Sequence, residues 1–458
     1  MIDVAEYQNF INRKTHYGKD AGFDPIWMPD WLFDFQESLV TWALRKGRAA
    51  IFADCGLGKT PMQLVIAQNF YLKTQKPTLI LTPLAVSHQT VREAEKFGIN
   101  ASRSEAGEIQ SSIVITNYER LHFFNPCDFG GVVCDESSIL KSFEGTRRQE
   151  ITAFMRKMPL RLLCTATAAP NDYTELGTSS EALGDMGLIE VLNKFFVNTY
   201  NDTGLKAHFG EAPQWRFKGH AEHHFWRWVT SWAHAVRNPS DLGFANGPFV
   251  LPQLTENYHH IMPAEPSSGY LFTLPASTLR EQRDERKRTI GERCEKVASL
   301  VNHTGEQAVV WCHLNEEGKA LDQLIPDAVE VSGSDSDDKK ERAFIDFSEG
   351  RSRVLITKPK IGAWGMNWQN CSHITYFPSH SYEQFYQAVR RCWRFGQQSP
   401  VRVDVILTEG EKRIFDNLQH KSRQAEEMFA ALVAEMNNSL GIKKTDPYTN
   451  QMETPSWL

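Results

Sequence analysis

Short apolar segments of strand length alternate with helix-length segments along most of the chain, in two separate runs. These segments are AAIFA (49–53), TLILTP (78–83), SSIVITN (111–117), GGVVCDE (130–136) and RLLCTAT (161–167) in the first run, and QAVVWC (307–312), AVEVSG (328–333), SRVLIT (352–357), HITYF (373–377) and VRVDVIL (401–407) in the second. Strands that are apolar throughout are typical of parallel sheets covered by helices on both faces. The sequence therefore predicts an α/β fold with two parallel-sheet lobes.

Between the two runs the alternation is lost, and His and Trp residues accumulate. We expect an N-terminal lobe over 1–182, a mainly helical, aromatic and His-rich insertion over 183–260, a C-terminal lobe over 261–430 and a C-terminal tail over 431–458. An amphipathic helix is predicted near 420–440, and the polar residues after it are expected to be loose. The length of 458 residues suits this division, because a typical domain has ~150 residues.

Charge and cysteine usage exclude some classes of protein. The chain has 50 Lys and Arg against 56 Asp and Glu, a net charge of −6, so it is not coated in positive charge, although a local basic track remains compatible with a nucleic-acid partner. The eight cysteines occur singly, which favours reduced thiols over disulfides or structural zinc. The apolar runs fall short of the ~20 residues of a membrane span, and the acidic N-terminus lacks a signal pattern. We expect a cytoplasmic protein.

A glycine-rich loop follows the first predicted strand and opens a helix. Its sequence, ADCGLGKT over 53–60, matches the phosphate-binding pattern G-x-x-x-x-G-K-[ST] except that Ala53 stands at the first glycine. In such a loop, backbone N–H groups around Gly56 and Gly58 converge on phosphate oxygens at a helix N-terminus. Lys59 would contact the β- and γ-phosphates of ATP, and the Thr60 hydroxyl would hold Mg²⁺. The alternative is a chance glycine turn before a helix.

Two carboxylates end the fourth apolar strand. Asp135 and Glu136 follow the run GGVVC. A carboxylate at this place can bind Mg²⁺, and its neighbour can orient the attacking water in phosphoryl transfer. We assign Asp135 to the metal and Glu136 to the water, because the phosphate loop precedes them. Taken alone, the pair would be a solvated strand end.

Together these motifs resemble those of superfamily 2 helicases, specifically the Swi/Snf-like branch of ATP-dependent DNA translocases. The phosphate loop is similar to that branch's A-D-E-x-G-L-G-K-T, one residue shorter. The other matching segments are Phe35-Gln36, TATAAPN (165–171), GAWGMNW (362–368) and QAVRRCWRFGQ (387–397). The last fits the family's Q-A-x-x-R-x-x-R-x-G-Q at every fixed position.

The resemblance implies two tandem RecA-like lobes with the nucleotide between them. By this similarity Gln36 reads adenine, and Gly365 and Asn367 lie at the nucleotide. Arg391 and Arg394, which we predict one turn apart on a helix, act as arginine fingers from the second lobe. One departure is Ser137-Ser138 after the acidic pair, where many strand-separating helicases have Ala-His or Ala-Asp. Coupling between ATP and the DNA track is therefore expected to differ in detail.

A nucleic-acid strand is expected to cross both lobes at the carboxyl ends of their strands, held mainly by backbone N–H groups and small hydroxyl side chains. The candidate contacts are Pro83, Ser87, Thr116, Asn117, Thr357 and Lys358. Each of them, read alone, is a loop residue at a strand end.

The segment 183–260 supports three interpretations. His220, His223, His224 and His234 could suggest zinc, but no tight ligand pattern forms. Trp226, Trp228 and Trp232 could stack on DNA bases beside basic residues. The interpretation we favour places the Trp residues in a helical core. In this interpretation the basic residues that touch DNA are Arg216, Lys218, Arg227 and Arg237.

From the resemblance we expect a monomeric, ATP- and Mg²⁺-dependent motor on DNA. Duplex or branched DNA is the first candidate substrate and RNA the second, with replication or recombination proteins as further candidate partners. The alternatives are a strand-separating helicase and an ATP-switched DNA-binding module that serves a replication, recombination or restriction partner. The compact chain favours a microbial or bacteriophage source, which for a phage protein means the bacterial host cytoplasm.

Overall fold

The computed structural model describes residues 20–141, 145–198, 215–262, 279–362 and 367–440. Within these residues the chain forms two parallel sheets flanked by helices and one small antiparallel hairpin. The predicted fold class, with two tandem parallel-sheet lobes, is confirmed.

The first lobe is built on a buried parallel sheet. Its strands, with the hairpin included, are β1 (Arg48–Ala53), β2 (Thr78–Thr82), β3 (Ala101–Arg103), β4 (Ile113–Asn117), β5 (Gly131–Asp135), β6 (Leu160–Cys164), β7 (Phe196–Asn198), β8 (Trp215–Phe217) and β9 (Ala233–Val236). Strands β7 and β8 form the hairpin, and the described strands of the sheet follow the order β3-β4-β2-β5-β6-β1-β9. The carboxyl ends of β1, β5 and β6 therefore meet at one edge.

Helices cover this sheet. They are α1 (Asp34–Lys46), α2 (Lys59–Thr74), α3 (Ser87–Lys96), α4 (Thr146–Met155), α5 (Glu175–Leu183), α6 (Leu188–Phe195) and α7 (Ala221–Thr230). Helix α2 packs directly on β2 and β5. Its side chains at 62–67 and at Phe70 are fully buried. A helix that is buried on several sides needs apolar residues around most of its circumference, as this one has.

The second lobe repeats the arrangement. Its strands are β10 (Leu254–Ile261), β11 (Ala308–Trp311), β12 (Ala328–Val331), β13 (Val354–Thr357), β14 (His373–Tyr376) and β15 (Val401–Thr408), in the order β10-β15-β14-β11-β13-β12. The helices are α8 (Leu279–Arg288), α9 (Ile290–Thr304), α10 (Asn315–Leu324), α11 (Asp337–Ser348), α12 (Tyr382–Val389) and α13 (Lys412–Leu440). All strand pairs described in this sheet are parallel.

The segment 183–260 differs from the separate helical insertion that we predicted. Strand β9 lies beside β1 as an edge strand of the first sheet, with Ala50 opposite Ala233. Strand β10 pairs along its whole length with β15 of the second sheet. The side chains of Trp228 and Trp232 are buried in the core of the first lobe. The sequence hid β9 because it has only four residues and follows α7 almost directly.

The C-terminal helix joins the two lobes. Helix α13 leaves the second lobe and packs on α7 and β9 of the first. Its apolar residues Phe429, Leu432 and Val433 lie in the first-lobe core. The amphipathic helix that we predicted near 420–440 is present as the end of α13. The predicted tail boundary at residue 431 is wrong, because the apolar spacing of three and four residues continues to 440 and has a partner to pack on. Residues 441–458 lie outside the described part of the chain.

Most of the thiols and one of the four predicted histidines are buried, while His220, His223 and His224 are exposed. All eight cysteines are free thiols, and six of them are buried. His234 is buried and stacks on Trp42, with ring centroids 3.5 Å apart, and burial lowers its pKa to about 3. In the described ranges no three His, Cys, Asp or Glu side chains are grouped to hold a metal ion. None of the helices described there combines the length and the apolar character that crossing a bilayer requires.

Candidate functional site

The glycine-rich loop connects β1 to α2 and faces the second lobe. Gly56 and Gly58 have φ angles of 92° and 76°, a left-handed conformation that favours glycine. A Cβ on Gly56 would lie 2.8 Å from the backbone nitrogen of Phe395 in the second lobe. Helix α2 begins at Lys59, so the orphan N–H groups of its first turn point into the cleft. The loop thus has the local geometry of an anion site.

Lys59 and the acidic pair lie on neighbouring elements of this edge. The Lys59 Nζ donates to the Ala53 carbonyl at 3.0 Å. Asp135 Oδ1 accepts a hydrogen bond of 2.7 Å from Gln63 on α2, and Glu136 accepts one of 3.2 Å from Thr165. Burial raises the pKa of Asp135 and raises that of Glu136 to about 7. Glu136 also has a φ of 49°, a strained value for a non-glycine residue that is frequent at functional sites.

Both lobes line the cleft at this loop. The cavity has a volume of about 690 Å³, and its walls include Lys59, Thr60, Asp135, Glu136, Asn367, Arg391 and Arg394. The structure therefore brings together the phosphate-loop, acidic and arginine residues that the sequence singled out. Pro83, which we predicted as a nucleic-acid contact, also lies on this wall.

The two arginines reach the cleft differently from our prediction. Helix α12 ends at Val389, so the prediction that Arg391 and Arg394 share a helix face is wrong. They lie instead in the turns that follow, where the Arg391 carbonyl accepts a 2.9 Å hydrogen bond from the backbone of Trp368. Arg394 donates to the side chain of Asn367. Burial lowers the pKa of Arg394 to about 10, so it stays charged at neutral pH.

Gln36 lies behind the loop. Its side chain is 4% exposed, donates to the Leu57 carbonyl at 2.9 Å and accepts from the Phe33 backbone at 3.1 Å. A Cβ on Gly58 would lie 2.3 Å from the Gln36 amide nitrogen. Gln36 thus supports the loop from the first lobe, and its role in reading adenine stays a prediction. Gly365 lies outside the described residues.

Most of the predicted nucleic-acid contacts have partners inside the protein. Ser87 donates to the Leu84 carbonyl at 2.9 Å, Thr116 to the Ser104 carbonyl at 2.9 Å, and Thr357 to the Val331 carbonyl at 3.1 Å. Asn117 caps a short helix by accepting from Arg120, and Lys358 contacts Asn315. Ser87 opens α3, and the other four lie at or next to strand ends, as expected. All five side chains make local contacts within the protein.

The four predicted basic contacts around α7 do not form one surface. Arg216, Lys218 and Arg227 are exposed. Arg237 instead is half-buried, and its guanidinium lies 4.6 Å from the ring centroid of Phe429 on α13. Arg237 therefore fastens the C-terminal helix to the first lobe.

Sequence reasoning missed three residues at the lobe interface. Asp54 of the phosphate loop accepts hydrogen bonds from Tyr386 and Arg390 of the second lobe. All three stand in or beside motifs that the sequence had singled out. Asp54 matches the aspartate of the family's phosphate loop and Arg390 stands at a variable position of its own motif, but no local pattern shows that the two residues meet.

Comparisons with known proteins bear on this arrangement. Residues 292–396 match the helicase conserved C-terminal domain. The chain is 22% identical over 423 residues to the DNA annealing helicase and endonuclease ZRANB3 of Homo sapiens, covering 83% of this chain and 38% of that protein. It is 23% identical over 418 residues to putative protein p41 of Acyrthosiphon pisum secondary endosymbiont phage 1, covering 78% of this chain and 87% of that protein.

These matches agree with the motifs, and the chain is similar to superfamily 2 helicases of the Swi/Snf-like branch. It spans about two fifths of the length of ZRANB3. Among solved structures, S. cerevisiae Dbp5 bound to RNA and ADP BeF3 matches with a TM-score of 0.53 and 12% identity, covering 88% of this chain and 93% of that one. This likeness concerns the fold alone, and it agrees with the two tandem RecA-like lobes of this chain.

Proposed function

We propose that this chain is a Swi/Snf-like, ATP-driven motor that moves on duplex or branched DNA. The observation that carries the proposal is the cleft in which Lys59 and Glu136 of the first lobe face Arg391 and Arg394 of the second. A cleft closed by both lobes can open and close once per turnover, and such motion can advance the lobes along a strand.

The residues of the cleft fit a nucleoside triphosphate with Mg²⁺. The cavity of about 690 Å³ is within the usual range for a ligand site. The Nε of Arg394 is buried and has no hydrogen-bond partner in the described part of the chain, as expected for a guanidinium that faces an anion. Thr60 and Asp135 supply the oxygen ligands that Mg²⁺ prefers.

Each residue then has a defined task. Bound ATP supplies the phosphoanhydride bond, and Mg²⁺ supplies positive charge at its phosphates. Lys59 and the loop N–H groups bind the phosphates, while Thr60 and Asp135 hold the metal. Glu136 orients the attacking water and accepts its proton. Arg391 and Arg394 stabilise the negative charge that develops in phosphoryl transfer.

DNA as the track is supported by the similarity to ZRANB3, a DNA annealing helicase and endonuclease, and by the exposed basic residues beside α7. We propose that Arg216, Lys218 and Arg227 contact phosphates of the DNA. Near full-length similarity to the phage protein p41 supports a compact phage-type enzyme acting in the cytoplasm of a bacterial host.

Translocation and strand separation can be distinguished directly. In a triplex-displacement assay the purified protein should release the third strand from duplex DNA in the presence of ATP. A parallel assay on forked duplex measures unwinding. Displacement of the triplex without unwinding supports a translocase, whereas unwinding of forks supports the strand-separating alternative. If neither occurs while ATP-dependent DNA binding persists, the chain is an ATP-switched module.

Removing the basic residues beside α7 should weaken DNA binding. Replacing Arg216, Lys218 and Arg227 together by Ala removes about three phosphate contacts, so affinity should fall and its dependence on salt should flatten. The measurement is fluorescence anisotropy with labelled duplex at several salt concentrations. Basal ATP turnover without DNA should not change, since the cleft lies elsewhere.

Two controls accompany this variant. Replacing Lys287, Arg342 and Arg413, three exposed basic residues of the second lobe, changes net charge equally and should affect binding less. Trp228→Ala should instead lower the free energy of unfolding by ~3–5 kcal/mol, because Trp228 is 2% exposed and its indole donates to Asp185 at 2.8 Å. If Trp228→Ala folds stably but does not bind DNA, while the triple basic-residue variant binds DNA normally, then Trp228 contacts DNA and the basic residues do not.

A further inference from the structure

One face of helix α12, continued by the residue after its end, contacts two segments of the first lobe. These are the phosphate loop and the residues that follow the acidic pair. Glu383, Tyr386 and Arg390 are spaced by three and four residues, so they project from the same side. Glu383 accepts a 2.6 Å hydrogen bond from Ser138 and pairs with Lys141, both just after the acidic pair. Tyr386 and Arg390 bond to Asp54 in the phosphate loop. The second lobe therefore contacts the segments that carry Lys59 and Glu136.

The Asp54–Arg390 ion pair is the most buried of these contacts. Asp54 is 5% exposed and Arg390 is 9% exposed. The Cys55 backbone N–H also donates a 2.6 Å hydrogen bond to an Asp54 carboxylate oxygen, which fixes the carboxylate to the loop. The Arg390 guanidinium lies 4.3 Å from the ring centroid of Trp393 and donates to the Trp393 carbonyl at 3.3 Å.

Burial makes this pair dependent on the closed arrangement of the lobes. Two charges removed from water are tolerated only when they are well paired, and loss of one partner leaves an uncompensated buried charge. When the lobes separate, both groups return to water, and the pair is lost. The contact thus forms together with closure of the cleft.

The position of Arg390 links the pair to the arginine fingers. Arg391 follows Arg390 directly in the chain. Arg394 lies three residues beyond Arg391, in the same irregular segment. The segment's backbone is held at Trp368 on the second-lobe side, and the side chain of Arg390 holds its start to Asp54 on the first-lobe side. A shift of about 1 Å in reacting groups can reduce a rate on the order of 10²-fold, so anchorage at this point has consequences for turnover.

We propose that Asp54 and Arg390 are positioning residues for phosphoryl transfer, which align the Arg391–Arg394 segment with the phosphate loop when the cleft closes. Tyr386 supports the same carboxylate. This inference rests on the proposed ATPase function and adds to it a link between the lobes that acts through protein contacts. It predicts that loss of the pair lowers kcat while the affinity of the open cleft for ATP is retained.

A double-mutant cycle tests the proposal in the full chain. Asp54→Asn and Arg390→Gln should each lower the DNA-stimulated kcat on the order of 10- to 100-fold, with KM for ATP changed less than threefold. The double variant should lose much less than the product of the two single losses, because two neutral amides remain and no buried charge lacks a partner. Arg390→Lys should retain more kcat than Arg390→Gln.

Matched variants keep the result interpretable. Arg92 and Glu341 also join the two lobes, at 2.9 Å, but their side chains are 63% and 42% exposed, so Arg92→Gln should leave kcat within twofold. Tyr386→Phe removes one hydroxyl and keeps the ring, so it should fold and still lower kcat several-fold. Thermal unfolding of each variant identifies any that are not folded.

The outcomes separate the two claims. A wild-type protein without ATP turnover contradicts the proposed function itself. The positioning role is overturned if the wild type is active and the Asp54 and Arg390 variants have the same kcat as Arg92→Gln. It is also overturned if the two single losses of kcat multiply in the double variant. A rise in KM with unchanged kcat would also overturn it, since the pair would then serve ATP binding.

Discussion

Replacing Lys59 by alanine should reduce ATP turnover by about 10²–10³-fold or more, because a preorganised charged donor aimed at developing charge contributes at least that much. Lys59 begins α2 and lines the cleft. Its side chain is not part of the apolar core, so the fold should persist. Phosphate release measured with saturating DNA, beside a thermal unfolding curve, checks both statements.

The same helix offers a control for this change. Lys73 lies in the last turn of α2 and is exposed. Lys73→Ala should hydrolyse ATP like the wild type. If Lys59→Ala also retains near wild-type turnover, the nucleotide site is not at the glycine-rich loop.

Replacing Arg394 by alanine should lower kcat by about 10³-fold, the lower end of what an arginine finger contributes in phosphoryl transfer. Its Nε is buried and lacks a hydrogen-bond partner among the residues that the structure describes, as expected for a group that becomes fully bonded only with a phosphate in place. Binding of ATP should change little, because the first lobe supplies the loop and Lys59. Arg391→Ala should behave similarly, since it lines the same wall.

Single-turnover hydrolysis and equilibrium ATP binding separate these effects. Arg342, an exposed arginine of the second lobe, serves as the control, and Arg342→Ala should keep both properties. If Arg394→Ala hydrolyses ATP normally, Arg394 is not part of the catalytic site, and its buried Nε has no bearing on the reaction.

The parts of the fold that could be predicted are those that a short stretch of sequence determines by its own composition and residue order. Continuous apolar strands such as β2 and β5 bury both faces, so composition alone marks them. The glycine-rich loop was also recognisable, because glycine at a left-handed position, followed by Lys59 at a helix start, leaves few other roles. Parallel order then places the carboxyl end of β5 near that loop.

The remainder depended on tertiary contacts. Strand β10 alternates between exposed and half-buried residues as an edge strand, so its polar composition gave no strand signal. The apolar face of α13 was visible in the sequence, but its partner, the first-lobe core around Trp228 and Trp232, was not. Likewise, no local pattern joins Asp54 to Arg390, which are 336 residues apart in the chain.

ATP hydrolysis measured with and without DNA shows whether the chain is a nucleic-acid motor. We expect slow turnover by the protein alone and a marked rise on adding duplex or branched DNA, because a bound strand favours the closed arrangement in which Arg391 and Arg394 face the phosphates. The Lys59→Ala variant should show no rise. Turnover that is unchanged by duplex, forked and single-stranded DNA, and by RNA, would contradict a nucleic-acid motor.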